Sequence, residues 1–198
     1  MRKNQTLRIS AGLLMSLATS IVLATGVSGR VTLANGSNGK NAVVWLEGGS
    51  KSRPMSPATV DQRDMTFIPH VSVITVGTKI NFPNNDTVYH NVFAEFDAKR
   101  FDLGMYARGQ NKSITFDKSG LVAILCSVHS EMSAYIMIVD SPYHVVADSK
   151  GHFKMADVPS GTYTLHVWHE SGQTYAKSVS IGSTDPGLAV QTSRRPGK

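Results

Sequence analysis

The stretch CSVHSEM, residues 126–132, is the part of the chain whose residue types and spacing could do chemistry. It places Cys126, His129 and Met132 three residues apart on one short segment. A thiolate, an imidazole and a thioether together form a donor set that suits copper. The apolar run LVAIL precedes this segment and AYIMIVD follows it, so we expect a strand on each side and a tight loop between them.

A copper site that handles single electrons uses two histidines and one cysteine in a trigonal plane, with a weak axial methionine. The second histidine must come from elsewhere, and His90 is the candidate because it stands in a short strand-like run just after the turn PNND. Burial in the core is the alternative for a lone cysteine. Met132 is the weakest candidate, since an axial bond is long and a methionine beside a strand can simply be packing.

The N-terminus predicts export. MRKNQTLR is followed by an apolar run of about 16 residues and then by small residues up to Gly29, which is the pattern of a secretory signal peptide over residues 1–29. We expect cleavage between Ala24 and Gly29, a periplasmic location and no stable membrane insertion. Cys126 is the one cysteine, so it cannot form an internal disulfide, and a bound metal would protect it in an oxidising compartment.

The excess of 20 Lys and Arg over 14 Asp and Glu lies mostly at the two ends of the chain. Six of the basic residues stand in the signal segment and the last five residues, so the body between them is close to neutral. No stripe of basic residues with interleaved aromatics occurs, and we therefore exclude nucleic acid as a partner.

The mature region predicts an all-β fold. Short β-branched or alternating runs are separated by turns rich in Gly, Pro and Asn, which is typical of β-sandwiches and barrels. The stretch 97–110 breaks this rhythm and is interpreted as a long loop, although its FDLG could form a short edge strand. Residues 184–198 are rich in Ser, Thr, Gly and Pro and are expected to be a flexible tail.

The stretch MTFIPHVSVITVGTKINFPNNDTVYHNV, followed by the late C-x-x-H-x-x-M, resembles the cupredoxins, the type 1 blue copper proteins of the plastocyanin and amicyanin kind. The resemblance implies a Greek-key β-sandwich over residues 57–140 that binds one type 1 copper ion. It implies His90, Cys126, His129 and Met132 as the copper ligands. It also implies that Asn91 and Ser127 support the ligands from behind, with the Asn91 side chain holding the cysteine loop.

A second module is indicated on both sides of this region. GHFKMADVPSGTYTLHVWHE at 151 resembles the carboxypeptidase-regulatory-like β-sandwich, and SGRVTLANGSNGKNAVVWLEG at 28 resembles the opening of the same module. We therefore expect a small discontinuous sandwich from residues 28–50 and 141–183. The alternative makes AVVWLEG the first strand of the cupredoxin itself.

These features predict an exported copper protein that transfers single electrons and is not an enzyme. The resemblance to cupredoxins of methylamine use implies a c-type cytochrome or an amine dehydrogenase as the redox partner. The alternative is a periplasmic copper chaperone, buffer or sensor, which would use the same ligands. A multicopper oxidase or nitrite reductase needs several His-x-His motifs, and none occurs here.

Overall fold

The computed structural model describes residues 24–95 and 98–194, and within these ranges every regular element is a strand. The all-β prediction is confirmed. No helix in the described ranges is long and apolar enough to cross a membrane. The strands are, in chain order, β1 (Ala24–Thr32), β2 (Val43–Glu47), β3 (Ala58–Thr59), β4 (Asp61–Arg63), β5 (Thr66–Ile68), β6 (Val71–Thr75), β7 (Thr78–Pro83), β8 (Phe93–Ala94), β9 (Phe101–Asp102), β10 (Asn111–Phe116), β11 (Gly120–Leu125), β12 (Ser133–Val139), β13 (His144–Val146), β14 (His152–Pro159), β15 (Gly161–Trp168), β16 (Gln173–Ile181), β17 (Leu188–Gln191) and β18 (Ser193–Arg194).

Strands β3 to β12 build the first sandwich. One sheet has the order β6-β12-β11-β8-β9 and the other has the order β10-β7-β3, while β4 and β5 pair with each other as a hairpin. Side chains alternate along β11, so Val122 and Ile124 point into the core and Cys126 follows them inward in the same rhythm. The apolar pattern of this strand therefore turns the cysteine towards the inside of the sandwich.

The remaining strands build the second sandwich. Its sheets have the orders β13-β2-β15-β16-β18 and β14-β1-β17, and their inner faces share one apolar core. Strand β2, which contains most of AVVWLEG, pairs with β13 and β15. In the structure this strand therefore lies in a sheet of the second sandwich.

The two sandwiches pack against each other through a third apolar cluster. The outer face of β12 and β6 contributes Met137 and Val71, and the facing sheet contributes Val43 and Trp45. Tyr135 and Trp168 are partly buried at this contact, with ring centroids 5.4 Å apart. The contact covers part of the face of the β6-β12-β11 sheet that does not look into the first core, so β12 is buried on both sides along most of its length.

The expectation of a flexible tail from residue 184 is wrong for the part that the structure describes. Strand β17 pairs in parallel with β1, and Val190 is buried in the second core. The polar composition of this segment does not by itself predict a strand. The strand forms because it pairs with β1, which is more than 150 residues away in the chain. Residues 195–198 lie outside the described residues.

Two further boundaries differ from the sequence pattern. Residues 24–29, which the pattern places at the end of the signal, form the first part of β1, and Val27 there is fully buried. Residues 1–23 lie outside the described residues. In the stretch 97–110, Phe101 and Asp102 form the edge strand that the sequence left open, paired with β8.

Candidate metal centre

His90 is carried by a turn that its own polar residues close. The Asn84 side chain donates hydrogen bonds to the carbonyls of Val88 and Tyr106, at 2.9 and 3.0 Å, and it accepts one from the N–H of Asp86. His90 and Tyr106 then exchange backbone hydrogen bonds as an isolated antiparallel bridge. The turn after β7 is thus locked from both ends, and it presents a fully buried His90 side chain.

The ring of His90 is oriented by the carboxylate of Asp86. His90 Nε2 lies 2.9 Å from Asp86 Oδ2, and both side chains are almost fully buried. The N–H of Met65, in the turn between β4 and β5, also donates to Asp86 at 2.7 Å. This backbone hydrogen bond, followed by the one from His90, lowers the pKa of Asp86 to about 2, so the group is a carboxylate at neutral pH. Since Nε2–H donates to Asp86, the lone pair of His90 Nδ1 is free for a metal.

The loop after β11 carries the other two donors. Cys126 N–H donates to the carbonyl of Met132 at 3.2 Å, and Met132 N–H donates to the carbonyl of His129 at 2.9 Å. These two bonds close residues 126–132 into a compact loop between β11 and β12. The spacing predicted a tight loop, and this loop brings the side chains of Cys126 and His129 close together.

A second set of hydrogen bonds ties this loop to the residue after His90. The Asn91 side-chain oxygen accepts from Ser127 N–H at 2.8 Å and from Ser127 Oγ at 3.0 Å. The Asn91 amide nitrogen lies 3.4 Å from Asp102 Oδ1 in β9, at the long end of a hydrogen bond. The loop and the His90 turn are thereby joined directly, and the contact resembles the support that the sequence resemblance implied for Asn91 and Ser127.

Three donor atoms meet at this point. His90 Nδ1 and His129 Nδ1 are 3.1 Å apart, and Cys126 Sγ lies 3.8 Å from the first and 3.9 Å from the second. The point equidistant from the three atoms is about 2.1 Å from each, which is within the range of metal bonds to nitrogen and sulfur. In the part of the chain that the structure describes, His90, Cys126 and His129 are the one group of this kind that could hold a metal ion.

The three donors differ in their access to solvent. His90 is fully buried and Cys126 is 4% exposed, whereas His129 is only partly buried and its neighbour Val128 is 54% exposed. Water therefore has little access to the metal position except along the edge of the His129 ring. Burial also raises the pKa of the nearby Tyr106 to about 12, so its phenol stays protonated and donates to the carbonyl of Phe82.

Met132 lies at the end of the same loop and is 1% exposed within the first core. Its role as an axial ligand stays a prediction. The sequence interpretation missed Asp86, because the stretch PNND was taken only as a turn. A carboxylate four residues before a candidate ligand histidine is the signal that could have drawn attention to it.

Comparison with known proteins gives two family matches. The model of copper binding proteins of the plastocyanin/azurin family matches residues 55–139. The model described as polysaccharide lyase family 4, domain II, matches residues 118–186, which overlap the first match and extend into the second sandwich. Among curated proteins there is no match.

Similar solved structures include a purple cupredoxin from Nitrosopumilus maritimus, with 20% identity over 41% of this chain and 99% of that one, and a TM-score of 0.39. The copper-containing nitrite reductase of Thermus scotoductus shares 26% identity over 48% of this chain, with a TM-score of 0.41. This chain spans only 25% of that enzyme's length. A mutant of amicyanin shares 19% identity over 48% of this chain and 98% of its own length, with a TM-score of 0.40.

The family match covers the segment that contains all three donor atoms, and the donors form a set that fits copper by residue type and distance. Residues 55–139 are therefore a cupredoxin domain of the plastocyanin/azurin copper-binding kind, and the cofactor of this domain is copper.

Proposed function

We propose that the chain is an exported mononuclear type 1 copper protein that transfers single electrons between periplasmic redox partners. The observation that carries this proposal is the triangle formed by His90 Nδ1, Cys126 Sγ and His129 Nδ1. His90 and Cys126 are buried, whereas His129 is only partly buried. Copper held by thiolate and imidazole donors can take up and release one electron, because these ligands suit both Cu(I) and Cu(II). Met132 is proposed as the axial ligand.

The surrounding residues keep the donors in place whichever charge the site carries. Asp86 holds the His90 ring, and Asn91 holds the cysteine loop through Ser127. Because these contacts are buried or partly buried, the donors have little freedom to rearrange. A site that changes little between two oxidation states is suited to electron transfer.

We propose that four exposed apolar side chains close in sequence to the site residues form a rim around the accessible side, and we define this apolar rim as Val88, Tyr89, Met105 and Val128. These side chains are 40%, 62%, 47% and 54% exposed. Tyr89 precedes His90 and Val128 precedes His129, while Met105 precedes the residue that is paired with His90. A small apolar surface beside the redox centre suits a weak and transient encounter with a partner protein.

The burial of the donors favours electron transfer over the chaperone, buffer or sensor alternative. A chaperone must hand its metal to an acceptor, which requires ligands that an incoming group can reach. Here His90 and Cys126 are 0% and 4% exposed. We therefore propose that the copper is retained while electrons pass through the His129 edge, and we propose no enzymatic activity for the chain.

The periplasmic location rests on the signal-like N-terminus and is part of the proposal. Within the expected range we place cleavage at its Ala24 end. Cleavage at Gly29 would remove Val27 from the second core and half of the strand that pairs with β14. A c-type cytochrome or an amine dehydrogenase is proposed as the redox partner, from the resemblance to amicyanin-like proteins.

The strand pairing supports a division into two domains, with the cupredoxin domain over residues 57–140 inserted into the second sandwich. Strands β1 and β2 before it pair with β13, β14 and β15 after it. We propose that this second domain extends to β18, beyond residue 183, since β17 pairs with β1 and β18 pairs with β16.

The test is a Cu(II) titration of the purified mature protein, followed by its absorption spectrum and by voltammetry. We expect one equivalent to bind, an intense visible absorption band from the thiolate bond to copper, and reversible cycling. Cys126→Ser should lose the band completely. Because serine is close to cysteine in size but has no thiolate, a folded variant separates loss of the thiolate from loss of the fold.

Two results would contradict the proposal. Copper binding without the band would show that Cys126 is not a ligand. A band accompanied by rapid loss of copper to a chelator would favour the chaperone or buffer alternative, whereas slow loss supports electron transfer.

A further inference from the structure

A residue outside the ligand set connects the second sandwich to the end of the copper loop. His70 lies directly before β6, and its Nδ1 is 3.0 Å from the carbonyl oxygen of Ser133. Its Nε2 is 2.6 Å from Glu170 Oε2, in the turn between β15 and β16. One side chain thus bridges two segments that are 63 and 100 residues away from it.

Ser133 is the residue where the copper loop ends. It directly follows Met132, and it pairs with Leu125, the residue before Cys126. The carbonyl of Met132 accepts the N–H of Cys126. A displacement of Ser133 therefore moves both ends of the loop that carries the copper donors.

His70 also contacts Tyr135, two residues after Ser133 in β12. In addition to the side-chain contact with Ser133, the carbonyl of His70 accepts the N–H of Tyr135 at 2.9 Å. The rings of His70 and Tyr135 also meet edge to face, with centroids 5.6 Å apart. The start of β12 is thus held by main chain, side chain and ring contacts from a single residue.

The other end of the bridge is anchored firmly. Glu170 follows His169, which is buried and whose Nε2 lies 3.0 Å from the carbonyl of Lys40. The turn is closed by hydrogen bonds between His169 and the residues Gly172 and Gln173. Glu170 is therefore fixed to the second sandwich and not to a free loop.

Both partners of the His70 ring accept hydrogen bonds. A carbonyl oxygen faces Nδ1 and a carboxylate faces Nε2, so a ring N–H on either nitrogen has an acceptor within reach. A hydrogen bond that ends on a carboxylate is stronger than one between neutral groups.

We propose that His70 and Glu170 are positioning residues through which the second sandwich fixes the copper loop at Ser133. This inference rests on the copper site proposed above. It gives the second sandwich a role in the properties of the metal centre, because the position of Met132 and the direction of Cys126 both depend on the anchored end of β12.

The experiment compares His70→Ala, Glu170→Ala and His70→Asn with the wild-type protein. The Asn side-chain nitrogen can replace His70 Nδ1 at Ser133, but it cannot reach Glu170. His152→Ala is the matched control, since it removes an exposed histidine of the second sandwich that pairs with Asp148 at 3.6 Å. Glu170→Gln, which keeps the size of the side chain, replaces Glu170→Ala if the latter does not fold.

Two readouts are needed. Hydrogen exchange of residues 126–133 in the metal-free protein reports on the loop alone. The Cu(II) absorption and paramagnetic resonance spectra, with the rate of copper release, report on the centre. We expect faster exchange in both alanine variants, altered spectra, and copper release about tenfold faster, at the low end for loss of a supporting contact.

The His70→Asn variant, which keeps the contact with Ser133 and loses the one with Glu170, tests the role of the second sandwich. If Glu170 matters, His70→Asn should behave like Glu170→Ala and less severely than His70→Ala. The proposal is overturned if the folded variants match His152→Ala in both exchange and spectra, or if His70→Asn restores wild-type behaviour completely. If the wild-type protein gives no thiolate band, the copper proposal fails, while the exchange data still test the anchor.

Discussion

The turn that carries His90 and the loop that carries His129 hold their histidines in opposite ways. His90 is fully buried, its Nε2 atom is hydrogen-bonded to Asp86, and its main chain is paired with that of Tyr106. His129 is only partly buried, on a loop whose neighbour Val128 is more than half exposed. The buried side thus fixes the position of one donor of the candidate metal centre, and the loop side presents the donor that solvent can reach.

This difference follows from the kind of contact on each side. The His90 turn is held by the side chains of Asn84 and Asp86, which are almost fully buried, so their hydrogen bonds are costly to lose. The loop is held mainly by backbone bonds across its ends and by Asn91. We expect substitutions on the two sides to differ accordingly.

The largest effect is expected for Asp86→Ala. It removes the acceptor of His90 Nε2 and of Met65 N–H, so the ring is free to turn and a partly buried backbone donor loses its partner. We expect copper affinity to fall about 10–100-fold, measured by competition with a chelator. Asp117→Ala is the control, since Asp117 is exposed and pairs with Lys99. An affinity within twofold of the wild-type value would show that His90 is oriented by its packing alone.

A smaller effect is expected where the two sides are joined. Asn91→Ala leaves two donors of Ser127 without their acceptor, and we expect the free energy of unfolding to fall by about 1–3 kcal/mol. Ser127→Ala removes only the hydroxyl bond and should cost about 0.5–1.5 kcal/mol. Urea denaturation of the metal-free protein measures both. Equal losses in the two variants would mean that the N–H bond to Asn91 contributes nothing.

The smallest effect on the fold, and the one most specific to function, is expected at the rim. Val128→Ser changes an exposed side chain, so stability should change by no more than about 0.5 kcal/mol and the copper spectrum should be unchanged. Electron exchange with a c-type cytochrome, measured by stopped flow, should become slower. Met55→Ser is the control, because Met55 is also exposed but bonds to Thr78, at the opposite end of β7 from the His90 turn. Equal rates for Val128→Ser and the wild-type protein would place the encounter elsewhere.

The candidate ligands could be proposed from the sequence because their chemistry is local. Cys126, His129 and Met132 lie within seven residues, and the strands around them follow from the alternation of apolar side chains. His90 could be added because a cysteine, a histidine and a methionine at this spacing require one more imidazole. The all-β class followed in the same way from short runs and frequent turns.

The support of the ligands could not be predicted in the same way. In the sequence Asp86 looks like an ordinary turn residue, and only the fold brings the hairpin turn at Met65 next to it. The contact between His70 and Glu170 joins residues that are 100 positions apart in the chain. The strand at Leu188–Gln191 lies in a polar segment whose composition does not predict it. It forms because its backbone pairs with that of β1. Each of these depends on a distant backbone.

What the sequence by itself determined is the donor set, the strand character of the chain and the signal-like N-terminus, since these depend on residue types and on spacing along a few residues. Only the tertiary structure decided which carboxylate orients His90, which face of the centre meets solvent and how the second sandwich reaches Ser133. The reason is physical. Hydrogen bonds and burial depend on which segments come within about 3 Å of each other, and that is fixed by the packing of sheets whose strands are far apart in the chain.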